Sequence, residues 1–251
     1  MNRSKKTIPF GLLVMSLAMW CLTTRAGTRE EIEIAALVDY RDTNEQISID
    51  GKKASFRVGG AGLKLQFNHA SLGSIYTSRG IGYSPKESAS FLGANLSGPA
   101  DSTFYGGGYE YSYLITANSK LVLSIDYVKH AIESSVSGYR ADQAVFADID
   151  SDITVTDTIL AWKYTLTENL SVSAGLGAIK WKVEADAIGT LGDSIRASTD
   201  VSANGTDSAQ KLKIEYTGFS LPISAQYQRS LLKADNSATL QAFTFELSYP
   251  L

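Results

Sequence analysis

Cysteine occurs once in 251 residues, histidine twice and proline five times. One cysteine excludes a disulfide framework, and two histidines leave no cluster with zinc-ligand spacing. The carboxylates are scattered, with no run at calcium-loop spacing, and no phosphate-cradling Gly-rich loop precedes a helical pattern. No excess of cations exists either. A formal charge of −3 argues against nucleic acid as the main partner, because phosphate binding needs clustered Lys and Arg. Beyond residue 27 there is no apolar run long enough for a transmembrane helix and no sustained helical period. What the chain does have is 44% hydrophobic residues, 21 Gly, 13 Tyr and 9 Phe, which sets it apart from collagen-like and disordered classes.

The first segment reads as an export signal. Arg3, Lys5 and Lys6 precede the apolar stretch 8–22, and Thr24-Arg25-Ala26 places small residues at the two positions a signal peptidase reads. Pro9, Gly11 and Ser16 interrupt the stretch, which is short for a membrane anchor. Bulky Trp20 argues against lipid attachment at Cys21. We therefore expect residues 1–26 to be a signal peptide and 27–251 one β-barrel domain. Removal of Arg3, Lys5, Lys6 and Arg25 leaves 19 Lys and Arg against 26 Asp and Glu, a formal charge of −7, with no cysteine.

The remainder alternates at period two in segments of about ten residues, each the length of a strand. Tyr105, Gly107, Tyr109, Tyr111, Tyr113 and Ile115 share one face, with Gly106, Gly108, Glu110 and Ser112 on the other. Leu121, Leu123, Ile125 and Tyr127 oppose Ser124, Asp126 and His130; Leu160, Trp162, Tyr164 and Leu166 oppose Lys163; Leu170, Val172, Ala174 and Leu176 oppose Ser171 and Ser173. Near the start, Ile34, Ala36, Val38 and Tyr40 alternate with Glu33 and Asp39, and Leu63, Leu65 and Phe67 with Lys64 and Gln66.

Connections alternate in length. Short polar turns at 68–71, 116–119 and 167–169 are separated by long stretches at 84–102, 134–152 and 186–210, read here as long, mobile, acidic loops. Short links on one side and long ones on the other are the signature of an up-and-down antiparallel barrel. The distinct segments number about nine. Thr217-Gly218 can turn the stretch 211–228 into two strands, which gives ten, with eight as the runner-up.

Alternation alone does not say which face meets solvent, so a soluble barrel and a membrane barrel both remain open. The export signal without cysteine favours the membrane, as do rings on the apolar faces: Tyr40, Phe67, Tyr105, Tyr127, Tyr164, Trp181, Tyr216, Tyr227 and Tyr249 suit girdles at headgroup level. The chain closes with Phe243, Phe245, Leu247, Tyr249 and Leu251 on one face and Ala242, Thr244, Glu246 and Ser248 on the other. This last segment resembles the C-terminal strand of outer-membrane barrels, and Tyr164 to Val172 resembles the periplasmic hairpins of the small outer membrane protein A and X type. One departure is the end itself, Tyr249-Pro250-Leu251, where such strands usually finish on Phe. The resemblance implies an all-β transmembrane up-and-down barrel in the cell outer membrane. It also implies as partners outer-membrane lipid and lipopolysaccharide, the periplasmic chaperones and barrel-insertion machinery, and an extracellular ligand at the loops.

With apolar faces on lipid, the lumen collects Glu33, Asp39, Lys64, Glu110, Asp126, Lys163, Lys213, Glu215 and Glu246. Unpaired, each buried charge would cost several kcal/mol, so an ion-pair network filling the interior is expected, with at most a narrow wet path. The resulting function is a structural or surface-interaction role without enzymatic activity, metal or cofactor. Two alternatives stand beside it: a narrow channel for small solutes, and a lipid A-modifying enzyme in which His130 works with Ser134 or Ser135.

Overall fold

A computed structural model of the chain describes residues 32–49, 52–91, 93–192, 195–231 and 238–250. The expected signal peptide, residues 1–26, lies outside the described residues. Ten antiparallel strands form a closed barrel in which each strand pairs with its sequence neighbours and the last returns to the first. They are β1 Ile32–Ile49, β2 Lys52–His69, β3 Gly73–Phe91, β4 Ala94–Thr116, β5 Ser119–Arg140, β6 Gln143–Thr167, β7 Leu170–Leu191, β8 Ile195–Tyr216, β9 Ile223–Leu231 and β10 Ala238–Pro250. The division of 211–228 falls at Thr217-Gly218 as read from the sequence, with β8 ending at Tyr216.

The register sets the geometry. From Val38, successive partners one way round are Leu63, Arg79, Tyr105, Lys129, Thr154 and Lys182; the other way they are Leu247, Ile223, Tyr216 and Leu170. Both routes end on β7, twelve residues apart. A stagger of twelve over ten strands tilts them about 40° from the barrel axis, so each residue climbs about 2.5 Å. An apolar band about 25 Å tall therefore takes about ten residues. Yet β4 to β8 contain 23, 22, 25, 22 and 22 residues. They rise about twice as far as a bilayer's hydrocarbon requires.

That excess is what the stretches 84–102, 134–152 and 186–210 become. They continue the strands and turn only at their tips. At one tip Ala141 and Asp142 both have positive φ, 45° and 66°, forming the two-residue turn that matches strand twist. The physical reason lies inside: along β6, Val145, Ala147, Ile149, Ile153 and Val155 all point inward and are buried. An ordered apolar core holds these segments as sheet where their Ser- and Asp-rich outer faces alone read as loop.

Each long strand thus reverses polarity part-way. At the short-turn end of β7, Leu170, Val172, Ala174 and Leu176 face out while Ser171 and Ser173 face in; further along, Lys180, Lys182, Glu184 and Asp186 face out while Ile179, Trp181 and Val183 are buried. The interior accordingly has three tiers: a polar lumen, an apolar cluster including Ile132, Ile153, Val155, Trp181 and Val183, and a second cluster at the tips with Phe91, Leu96, Val136, Val145 and Ala187. Trp181, assigned from sequence to a lipid-facing girdle, belongs inside, where its indole N–H donates to Asp207 at 2.5 Å. The period-two phase on β7 is unbroken, and only the identity of the inward face changes.

Candidate functional site

The lower lumen is lined by inward polar and small residues together with apolar Leu37, Val122 and Ile159, and it holds four groups of charges. Near the short turns, Glu215 accepts from Lys213 at 2.8 Å and also pairs with Lys163, while Ser171 donates to it at 3.2 Å. Across the barrel, Lys64 lies 3.0 Å from Glu246, which also accepts from Ser224 at 3.0 Å, and the Lys64 ammonium sits 4.0 Å from the centre of the Tyr76 ring. Deeper, Asp126 takes the Tyr76 hydroxyl and lies 3.5 Å from Lys211. Its cross-strand neighbour Asp157 accepts from Gln228 at 2.8 Å. Higher still, Asp39 is paired at 2.9 Å with Arg41, whose guanidinium lies 5.1 Å from the centre of the Phe104 ring. These carboxylates sit where solvation by bulk water is poor, so each paired cation offsets a charge that would otherwise be costly to bury.

Of the residues expected to meet in the lumen, Lys64, Lys163, Lys213, Glu215 and Glu246 are joined directly as pairs. Asp39 and Asp126 take partners not singled out from sequence, Arg41 and Lys211. Glu110 lines the same cavity, and Glu33 is exposed near the short-turn end. Asp157, Lys211, Tyr76 and Gln228 escaped the sequence reading because they lie at or beyond the edges of its segments. The signal was present: stepping back by twos from Lys163 reaches Asp157, and from Lys213 reaches Lys211. A cavity of about 100 Å³ lies among these charges, room for several water molecules, lined among others by Arg41, Asp126, Asp157 and Lys211.

His130 is buried on the inward face, its ring centroid 5.7 Å from that of Phe104. Ser135 is on the opposite, outward face, bonded to Asp148 at 2.8 Å. Ser134 points inward with His130 and donates at 3.5 Å to the carbonyl of Ile149. This arrangement brings neither serine and His130 together at a lipid-facing surface.

The outer surface divides by height. Around the lower barrel Val38, Leu65, Tyr109, Leu123, Leu160, Leu176, Leu212 and Leu247 face outward and exposed, with Tyr113, Tyr164 and Tyr249 toward the short-turn end. Above them acids take over. Asp101, Glu133, Asp150, Asp186 and Asp200 are successive cross-strand partners on β4 to β8, all exposed. Flanking acids have cations, Asp152 with Lys129 at 2.7 Å and Glu184 with Lys182 at 2.6 Å. None of the five in the row is ion-paired to another described residue.

No family model matches the chain, and no curated protein does. Solved structures do. The outer membrane protease OmpT from Escherichia coli superposes with a TM-score of 0.54 at 10% identity, over 91% of this chain and 99% of that one. The translocator domain of the autotransporter NalP from Neisseria meningitidis gives 0.51 at 9% identity, over 96% and 94%. The fold is that of an outer-membrane β-barrel. The attachment invasion locus protein Ail of Yersinia pestis is also similar, at 12% identity over 87% and 99% of the two chains, with a TM-score of 0.42.

Within that fold the outward apolar belt is the lipid-contacting surface, and the barrel resides in the cell outer membrane. At the short-turn end the Thr165 and Thr217 amides donate to the carbonyls of Asn118 and Asn169 at 2.8 and 2.9 Å and tie adjacent turns together. OmpT is a protease, so the fold alone neither requires nor excludes catalysis.

Proposed function

We propose that this barrel is a closed outer-membrane protein with a structural and surface-interaction role, carried by the sheet that its long strands raise above the membrane. The observation that carries the reading is the reversal of polarity along β4 to β8. Below it the lumen carries ion pairs; above it Ile132, Ile153, Val155, Trp181 and Val183 form an apolar inner wall over β5 to β7. A solute passing this wall meets apolar side chains where most of its hydration shell would need replacing, with buried Ser134 and Ser151 as exceptions. The investment of about half of each long strand in an ordered extracellular sheet points to a surface that meets something outside the cell. Residues 1–26 act as the export signal in this reading, and lumen charges serve stability rather than conduction.

Planar-bilayer recording on the purified full chain tests closure. No steady single-channel conductance is expected. A reproducible conductance that rises on replacing Trp181 and Val183 with alanine would establish the channel reading instead.

A further inference from the structure

Among the described residues, the upper half of β8 ends the sheet on one side. β8 pairs with β7 along its whole length, from Leu170–Tyr216 to Leu191–Ile195, but pairs with β9 only from Tyr216–Ile223 up to Ser208–Leu231. Residues 195–207 of β8 thus have one neighbour among the described residues, whereas every long strand from β4 to β7 has two along most of its length. Half the backbone N–H and C=O groups of this stretch point toward the side on which no described residue pairs with them, a ready template for another strand.

Two further observations show what would fit. The inward side chains at this margin, Ala197, Thr199, Val201 and Ala203, are only partly buried, while their counterparts on β6 and β7, such as Ile149, Ile153, Val183 and Ala187, are buried. The apolar core containing Trp181 and Val183, against which Ala203 packs, is therefore incompletely covered along β8. On the outward side the margin begins with Asp200, the last carboxylate of the row that includes Asp150 and Asp186.

We propose that residues 195–207 of β8 are a strand-addition site for an extended polypeptide segment of an extracellular protein, alternating small apolar residues on one side with basic residues on the other. Backbone pairing to β8 supplies the affinity. The apolar side chains continue the core over Ala203 and Val201, and the basic ones neutralise Asp200 and Asp186, which like-charge neighbours otherwise disfavour. Polar Ser198, Ser202, Asn204 and Thr206 along the outer face keep the free edge from pairing indiscriminately. The inference rests on the extracellular sheet being the interacting part, and it is independent of whether the lumen conducts.

The test uses the full chain in lipid nanodiscs and a fluorescein-labelled peptide of about eight alternating lysine and valine residues as probe, read by fluorescence anisotropy. Saturable binding is expected, weakened at least about tenfold when the alternate amides of one of the peptide's two edges, tested in either register, are N-methylated, because that removes donors and blocks the edge while keeping charge and adding only small apolar groups. A peptide with the same residues in blocks, lysines then valines, should also bind weakly. Asp200→Asn should reduce affinity while leaving the heat-modifiable gel shift of the folded barrel intact. Equal binding by parent peptide and both N-methylated registers would overturn the proposal in favour of simple charge attraction. Absence of saturable binding would overturn it too, meaning that the edge is covered by other parts of the chain or is refractory to pairing. Neither result bears on closure of the lumen, which conductance decides separately.

Discussion

An arginine moved step by step along the outward face of β6 should report the polarity reversal as a depth profile of stability. The outward positions are Leu166, Tyr164, Trp162, Leu160, Thr158, Thr156, Thr154, Asp152 and Asp150, in order from the short-turn end. With about 2.5 Å of climb per residue, Leu160 lies near the middle of the apolar belt and Asp150 about 25 Å above it. Arginine at the bilayer midplane costs about 2–4 kcal/mol and falls to about 0–1 kcal/mol near the interfaces. Leu160→Arg should therefore give the peak, Leu166→Arg and Thr154→Arg small losses, and Asp150→Arg essentially none, since it is exposed to water and removes one carboxylate from a like-charge row. On the inward face the order inverts. Ile153→Arg places an unpaired charge in the apolar tier and should cost more than about 3 kcal/mol, although it lies outside the hydrocarbon. Urea titration of folding into phosphatidylcholine vesicles, followed by tryptophan fluorescence and gel migration without boiling, gives each value. A flat outward profile, or a peak at Asp150, would refute the placement of the belt.

Three further outcomes follow from single contacts. Glu215→Gln should destabilise the barrel by about 1–3 kcal/mol, less than a fully buried pair would, because it leaves Lys163 and Lys213 without their shared carboxylate; combining it with Lys213→Met should recover part of the loss in a double-mutant cycle. Trp181→Phe keeps a ring in the upper apolar core but removes the donor to Asp207, and a lowered urea midpoint corresponding to about 1–3 kcal/mol is expected, an unchanged one counting against that hydrogen bond. At Gly205 a methyl group would stand 2.7 Å from the Trp181 ring, so Gly205→Ala should cost about 1–3 kcal/mol in the same titration despite the usual entropic gain of replacing glycine, and the penalty should shrink in a Trp181→Phe background.

Much of the wall was legible in the sequence. Tyr105 to Ile115, Leu121 to Tyr127 and Leu160 to Leu176 carry unbroken alternation between turn residues, and antiparallel neighbours joined by such short turns have little choice of partner. Lumen residues such as Lys64, Glu215 and Glu246 were legible for the same reason, because they occupy the minority face of a strand whose other face is oily. Pairings were not, since Lys64 and Glu246 lie 182 positions apart and meet only because β1 stands between β2 and β10.

The upper half was misread in one instructive way. Period two is a property of the backbone and persists whatever surrounds the strand, so the chain alone determined where residues alternate and narrowed the strand number to ten, with eight as the runner-up. It did not determine which alternate set faces in, because that depends on whether lipid or water lies outside at a given height. Trp181 and Leu176 show the difference: five positions apart on one strand, both large and apolar, one is enclosed and the other faces the bilayer. Only the tertiary structure, by raising β4 to β8 beyond the hydrocarbon and folding their tips over a common core, decided between these two environments.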